Sequence, residues 1–211
     1  IKIHFLSADF KKHSVSFFIK ELLEKIDKSI FEISLISNLN IIDKDDLSGE
    51  LKDLADYWYD IENMSDEEAT NFLRSLNIDV LIDLSGFTQG NRLEVVARRC
   101  AKIQILWLGY NNSLCLKNVD YFIADKNLIK SDEEILYSEK VLRLPNIWNC
   151  HSGIDDKFLV NEAPFKKNGY LTFGCFNNST KISPDCINIW SEILKKAKNC
   201  KIMIKAQSED A

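Results

Sequence analysis

Glycine and proline are scarce in this chain, seven and three among 211 residues, less than half of the roughly 12% that is usual for the two together. That excludes a collagen-like or low-complexity chain. The hydrophobic share of 45% and charged share of 28% exclude a largely disordered one. Long hydrophobic runs are lacking too, since none approaches the roughly 18–20 residues that span a bilayer. There is no surplus of positive charge: the net charge is −5. The densest basic group (Lys195, Lys196, Lys198, Lys201) falls at a predicted helix end, where cations complement the helix dipole. A nucleic-acid surface is therefore not expected. The six cysteines, at 100, 115, 150, 175, 186 and 200, never stand two residues apart, so neither a zinc knuckle nor a redox pair is signalled. Several lie in apolar stretches, where a reduced cysteine behaves as a small hydrophobe, and a cytoplasmic location is expected. His4 sits within a strand and His151 has no ligand partners nearby in sequence, so no metal site is expected.

What is present is an alternation of short apolar runs with helical patterns. Strands are predicted at Ile1–Leu6, Phe31–Ser37, Val80–Leu84, Ile103–Leu108, Tyr121–Ala124 and Val141–Leu144 from their β-branched and aromatic content. Helices are predicted at Ser14–Ile26, Asp45–Tyr57, Asp66–Leu76, Arg92–Arg99 and Asp132–Leu136. Ser65 with Glu68 three residues later is a capping-box start for the third of these. Such alternation implies right-handed βαβ units and a mainly parallel sheet, an α/β fold. An irregular stretch near Asn146–Gly169 then gives way to a new unit. It has a strand at Leu171–Phe176, a helix at Pro184–Lys198 with Ser183 as N-cap, and a strand at Lys201–Ala206. The expected organisation is a first lobe over 1–148, a linker over 149–169 and the first βαβ of a second lobe over 170–211. A chain opening in mid-strand at Ile1 is expected to be a piece of something longer, and inactive alone.

In open parallel sheets ligands bind beyond the carboxyl ends of the strands, where helix N-termini point free N–H groups. Four loops carry polar residues suited to that place. Ser7–Ser14 holds Asp9 and His13, which can move a proton or orient a hydroxyl, unless Asp9 and Ser14 simply cap the next helix. Ser85–Arg92 holds Gly86, Thr88 and Gly90 but matches neither a dinucleotide fingerprint nor a P-loop. Its glycines fit either close backbone approach or a plain turn. Trp107–Ser113 offers aromatic rings for sugar or base stacking, or, for Trp107, for the core. Phe176–Lys181 places a lysine and amides ahead of a helix start, a phosphate-sized anion site. Asp43-Lys44-Asp45 has a metal–nucleotide pattern, yet carboxylates before a helix are ordinarily caps.

Five ordered motifs are more specific than any loop alone. Asp9-Phe10-x-x-His13-Ser14-Val15-Ser16, Gly90-Asn91-Arg92-Leu93, Trp107-Leu108-Gly109-Tyr110, Tyr137-Ser138-Glu139-Lys140 and Phe173-Gly174-Cys175-Phe176-Asn177-Asn178-x-x-Lys181-Ile182-x-Pro184 resemble the protein O-GlcNAc transferase/SPINDLY family along essentially the whole chain. The resemblance implies a GT-B fold, two Rossmann-like lobes holding a nucleotide-sugar, with no essential metal or cofactor. It implies transfer of GlcNAc from UDP-GlcNAc, or fucose from GDP-fucose, to Ser/Thr hydroxyls of intracellular proteins, with tetratricopeptide repeats often upstream. By position it makes His13 and Asp9 base or proton-path groups and Lys181 the contact to the donor diphosphate. Asn178, Leu108, Gly109 and Tyr110, with Gly86 and Thr88, become donor-pocket residues. Asn111 stands where the family has proline, and Phe87 where many members have histidine. A nucleotide-sugar 2-epimerase and a non-catalytic binding module fit the same fold. Sugar-product analysis without an acceptor separates the first, and donor binding without transfer the second.

Overall fold

A computed structural model describes residues 1–151 and 160–205, which form two compact units. The first carries seven strands: β1 (Lys2–Ser7), β2 (Glu32–Ser37), β3 (Tyr57–Asp60), β4 (Ile78–Asp83), β5 (Ala101–Leu106), β6 (Tyr121–Ala124) and β7 (Lys140–Arg143). They form one sheet in the order β3-β2-β1-β4-β5-β6-β7, parallel throughout. Helices α1 (Ser14–Lys25), α2 (Asp46–Leu54), α3 (Asp66–Ser75) and α4 (Leu93–Ala97) cover it. A parallel sheet needs cover on both faces, and successive β1 residues supply it. Phe5 packs with Val15, Ile19 and Leu23 of α1 and Leu47 and Leu51 of α2. Leu6 packs with Leu73 of α3 and Val95 and Val96 of α4. This is the Rossmann-like α/β lobe expected from the alternation of patterns.

The strand order fixes where a ligand can sit. The chain lays β1, β2 and β3 outward in one direction, then returns to place β4 on the other side of β1. The loops leaving β1 and β4 therefore turn to opposite faces, and the crevice between them is where doubly wound sheets bind ligands.

One predicted helix ends early. Asp45–Tyr57 is α2 to Leu54, after which Tyr57-Trp58-Tyr59-Asp60 forms the edge strand β3 beside β2. Leu47, Leu51, Leu54 and Trp58 continue a helical stripe through the break, which hides it. The switch is made at Asp56, whose amide donates to Ile33 O at 2.9 Å and whose carboxylate accepts the Ile33 amide at 2.7 Å. Asp132–Leu136 is reduced to a 3-10 turn over Glu134–Leu136. Both capping boxes, Asp45 with Ser48 and Ser65 with Glu68, are formed.

The second unit is a βαβ. β8 (Leu171–Cys175) and β9 (Cys200–Ile204) pair in parallel, joined by α6 (Pro184–Lys196), with Ser183 as N-cap and Pro184 at the first position. A short helix α5 (Pro164–Asn168), closed by Gly169 in the left-handed region, precedes β8. Gly153 and Ala206 lie outside the described residues. Among the described residues no helix is long and apolar enough to cross a membrane.

Two buried ionisable groups on this scaffold oppose one another. His4, in mid-strand between Ser34 and Leu81, is pushed down to about 4 by burial and then by Lys2. Asp83, at the end of β4, is pushed up to about 6 by burial, against the bonds from the Gly86 and Ser85 amides. Unfolded His4 binds a proton below its ordinary value, so its contribution to stability is lost as pH falls from 6.5 to about 4. Folded Asp83 keeps its proton, so its contribution is present below 3.8 and lost as pH rises to about 6. The two windows nearly coincide. Unfolding free energy should therefore vary by less than about 1 kcal/mol from this pair between pH 4 and 6.5. Asp83→Asn should unmask stability that rises with pH, and His4→Leu stability that falls with pH, in urea titrations across that range. Parallel pH curves for the two variants would refute the opposition.

Candidate functional site

Three loops meet at the carboxyl ends of β1, β4 and β5. The β1 loop is pinned from inside by Phe10, fully buried, and from outside by the capping box of α2. Ser48 Oγ donates to Phe10 O at 2.6 Å, and Asp45 accepts the Lys12 amide at 2.7 Å. Asp45 thus caps the start of α2 and holds the loop, while Asp43 ends a 3-10 turn over Ile41–Asp43. Within the loop the Asp9 amide donates to Ser7 Oγ at 3.0 Å and Ser16 Oγ donates to Asp9 O at 2.7 Å.

His13, rather than Ser14 or Asp9, is the N-cap of α1. Its extended backbone lets Nδ1 accept the Val15 amide at 3.3 Å. Asp9 Oδ2 stands 3.7 Å from the same nitrogen, with the His13 side chain 42% exposed and that of Asp9 16%. While Nδ1 accepts, a neutral ring carries its proton on Nε2. To serve as a base at Nε2, the ring must release Val15 and move its proton to Nδ1, where Asp9 is the acceptor in reach. The pair is thus built to exchange one hydrogen bond for another.

In the β4 loop Asp83 accepts the Ser85 amide at 3.2 Å and the Gly86 amide at 2.9 Å. Thr88 Oγ1 donates inward to Ser85 O at 2.8 Å, and Asn91 Nδ2 donates to Thr88 O at 2.8 Å. Gly86 has φ +55°, and a Cβ there would lie 2.3 Å from Tyr110 Cβ. The Tyr110 ring stands edge-on to Phe87, 5.3 Å between centroids. Leu108 is left-handed at φ 81°, and its buried side chain packs in the core with Phe5 and Trp107. Trp107 is likewise core, its Nε1 donating to Trp148 O at 2.8 Å. His13, Asp9, Gly86, Thr88, Leu108, Gly109 and Tyr110 are therefore gathered on three adjoining loops.

Arg92, in the Gly90-Asn91-Arg92-Leu93 motif, ties this edge together. Its side chain donates to Asp66 Oδ1 at 2.9 Å, Asn38 Oδ1 at 3.0 Å, Ile61 O at 3.1 Å and Met64 O at 2.9 Å. Asn38 Nδ2 in turn donates to Gly90 O at 2.8 Å. A lysine cannot span this fork of acceptors. Arg92→Lys should lower the unfolding free energy by about 1–2 kcal/mol; an unmoved urea midpoint would show the clamp to be idle.

In the second unit the loop after β8 places the remaining residues. Asn178 caps a 3-10 turn over Ser179–Lys181, its Oδ1 accepting the Thr180 amide and hydroxyl at 3.0 Å each. Lys181 is exposed on that turn, three residues before the start of α6. It belongs to the junction that leads into α6. There Pro184 has no amide hydrogen, and the Cys186 and Ile187 amides donate to Ser183 Oγ at 3.3 Å and Ser183 O at 3.2 Å. The lysine ammonium and the positive end of the helix dipole are therefore what this junction offers a phosphate group. Among the described residues no group of three or more His, Cys, Asp or Glu is placed to hold a metal ion.

Residues 1–155 match Glycosyl transferase family 41. The chain is 32% identical over 207 residues to the probable UDP-N-acetylglucosamine–peptide N-acetylglucosaminyltransferase SPINDLY of Oryza sativa subsp. japonica, covering 97% of this chain and 22% of that protein. It is 25% identical to the probable UDP-N-acetylglucosamine–peptide N-acetylglucosaminyltransferase SEC of Arabidopsis thaliana, covering 94% and 21%. Among solved structures, a mutant O-GlcNAc transferase of Thermobaculum terrenum superposes with a TM-score of 0.89 at 28% identity, covering 97% of this chain and 38% of that one. The chain thus spans about a fifth of the length of these curated relatives.

Proposed function

The chain belongs to glycosyl transferase family 41, with the GT-B type of α/β fold, and from that premise we propose that it is the part of a protein O-glycosyltransferase that handles donor and acceptor hydroxyl. The sugar, GlcNAc or fucose, passes from a nucleotide-sugar of the UDP-GlcNAc or GDP-fucose type to a Ser or Thr hydroxyl. The observation that carries this reading is the pairing of His13 with Asp9, 3.7 Å apart, where the strand order reverses.

The chemistry follows from the groups present. The bond between the anomeric carbon and the diphosphate oxygen breaks as the acceptor oxygen bonds to that carbon. The hydroxyl proton goes to His13 Nε2, with Asp9 holding the Nδ1 proton of the imidazolium. Charge developing on the diphosphate is met by Lys181 and the positive end of α6, and no metal is assigned a part. Gly109 and Tyr110 wall the donor pocket. The six unpaired cysteines support a reducing compartment, the cytoplasm.

The test is made on the protein that carries this chain, given a Ser/Thr peptide and each nucleotide-sugar labelled in the sugar. Label bound to peptide hydroxyl oxygen is expected. Epimerised or free sugar with no labelled peptide would overturn the reading.

A further inference from the structure

We propose that Glu139 is a positioning residue for the donor site, acting through the loop that follows β5; the inference rests on the glycosyl-transfer reading above. That loop has two strained ends. Leu108 at φ 81° and Cys115 at φ 55° are both left-handed without being glycine, a conformation that persists only where its surroundings over-determine it. At the first end, Gly109 sits directly beneath Leu84 O. At the second end stands Glu139, 25 residues beyond Leu114 and the residue before β7.

Glu139 is 3% exposed, and both its carboxylate oxygens are used. Oε2 accepts the Ser113 hydroxyl at 2.6 Å and Oε1 accepts the Leu114 amide at 2.8 Å. Ser113 Oγ in turn accepts the Cys115 amide at 3.1 Å and the Ser138 amide at 3.3 Å. Ser138 Oγ at 3.3 Å and Cys115 Sγ at 3.6 Å also lie in reach of the hydroxyl, but the carboxylate, closest and an acceptor only, takes its proton. Between the two anchors the exposed tip, Asn111 and Asn112, carries no proline to fix its φ. The course of the tip beside Tyr110 is therefore set by its ends. A buried carboxylate is tolerated where its oxygens are hydrogen-bonded, and here those bonds fix a backbone that would line the nucleotide-sugar.

In the enzyme that carries this chain, Glu139→Gln replaces one acceptor by a donor facing either the Ser113 hydroxyl or the Leu114 amide. KM for the nucleotide-sugar should rise about tenfold with kcat within about twofold, because a charge-assisted bond is lost from a binding loop and not from the reacting atoms. Exchange of the Leu114 amide should quicken about tenfold while amides of β4 and β5 are unmoved. Ser113→Ala should reproduce the rise in KM, adding nothing in the double variant, and Ser113→Thr should keep the wild-type KM. An unaltered KM in both single variants of an active enzyme, additive effects, or loss confined to kcat would overturn the inference alone. A wild type that transfers no sugar would overturn the transfer reading, and the inference with it.

Discussion

Lys181→Ala should lower sugar transfer by about 10²–10³-fold, with the loss in kcat rather than in KM for the nucleotide-sugar. The proposed reaction puts new negative charge on the departing diphosphate, and removing one preorganised donor from such a charge costs about 3–4 kcal/mol. A group that meets charge only as it develops acts on the transition state, so ground-state binding should change far less. The turn that carries Lys181 is built without its side chain. Asn178 caps it through the Thr180 amide and hydroxyl, and the Lys181 amide donates to Asn178 O at 3.0 Å. The ammonium is exposed, so truncation should leave the thermal midpoint within about a degree, as surface substitutions do. Lys181→Arg, which keeps the charge in a different shape, should recover part of the rate. Rates are to be measured with labelled donor at saturating peptide. Transfer undiminished in Lys181→Ala would remove the residue from the mechanism, and an equal rise in KM would make it a binding group.

How much of this was legible in the sequence depends on the range of each interaction. Ser65 with Glu68, and Ser183 with Pro184, are local signals. The structure forms both, because a cap is settled within one turn. The buried central strands were equally plain, since β1, β2 and β4 read as apolar runs covered on both faces. β3 was hidden because its aromatic residues extend the stripe of α2, and only Asp56 pairing across to Ile33 ends the helix. Asp9 and His13 could be placed after the first strand, but the cap of α1, expected at Asp9 or Ser14, is His13. Asp83, Arg92 and Glu139 were absent from the site expected from the sequence alone. Asp83 looks like any strand-end carboxylate until its burial is known. The partners of Arg92 lie 26 to 54 residues away and those of Glu139 lie 25 and 26 away. Such distances leave no periodicity to read. The sequence motifs mark Arg92 and Glu139 without giving a reason, and the reason is mechanical: they hold the loops that carry the site.

Gly109→Ala should be the most damaging single-methyl change in the first unit, lowering its unfolding free energy by about 3 kcal/mol or more. The restriction is space, not backbone freedom, since Gly109 is not among the positive-φ residues. An added Cβ would lie 1.9 Å from Leu84 O and 3.0 Å from Leu84 C, with Val15 Cγ2 at 3.4 Å beyond. A flexible side chain could swing aside from such an overlap, but the obstructing atoms are backbone. Leu84 leaves β4 with its amide bonded to Leu6 O at 2.9 Å, and its side chain is fully buried. Leu108 before it is already strained, and Tyr110 after it is seated over Gly86, where its Cβ leaves no room for another. Neither side can yield by a few tenths of an ångström, so the β5 loop must lift away from β4. The same displacement would open the crevice where the β1 and β4 loops part, so donor affinity should fall together with stability. Gly49→Ala is the control, because a methyl there meets nothing within 4 Å and a helical alanine is slightly favoured. Urea unfolding of the two variants side by side decides the matter. A Gly109→Ala protein with the midpoint of the control would mean that the β5 loop does not rest on Leu84.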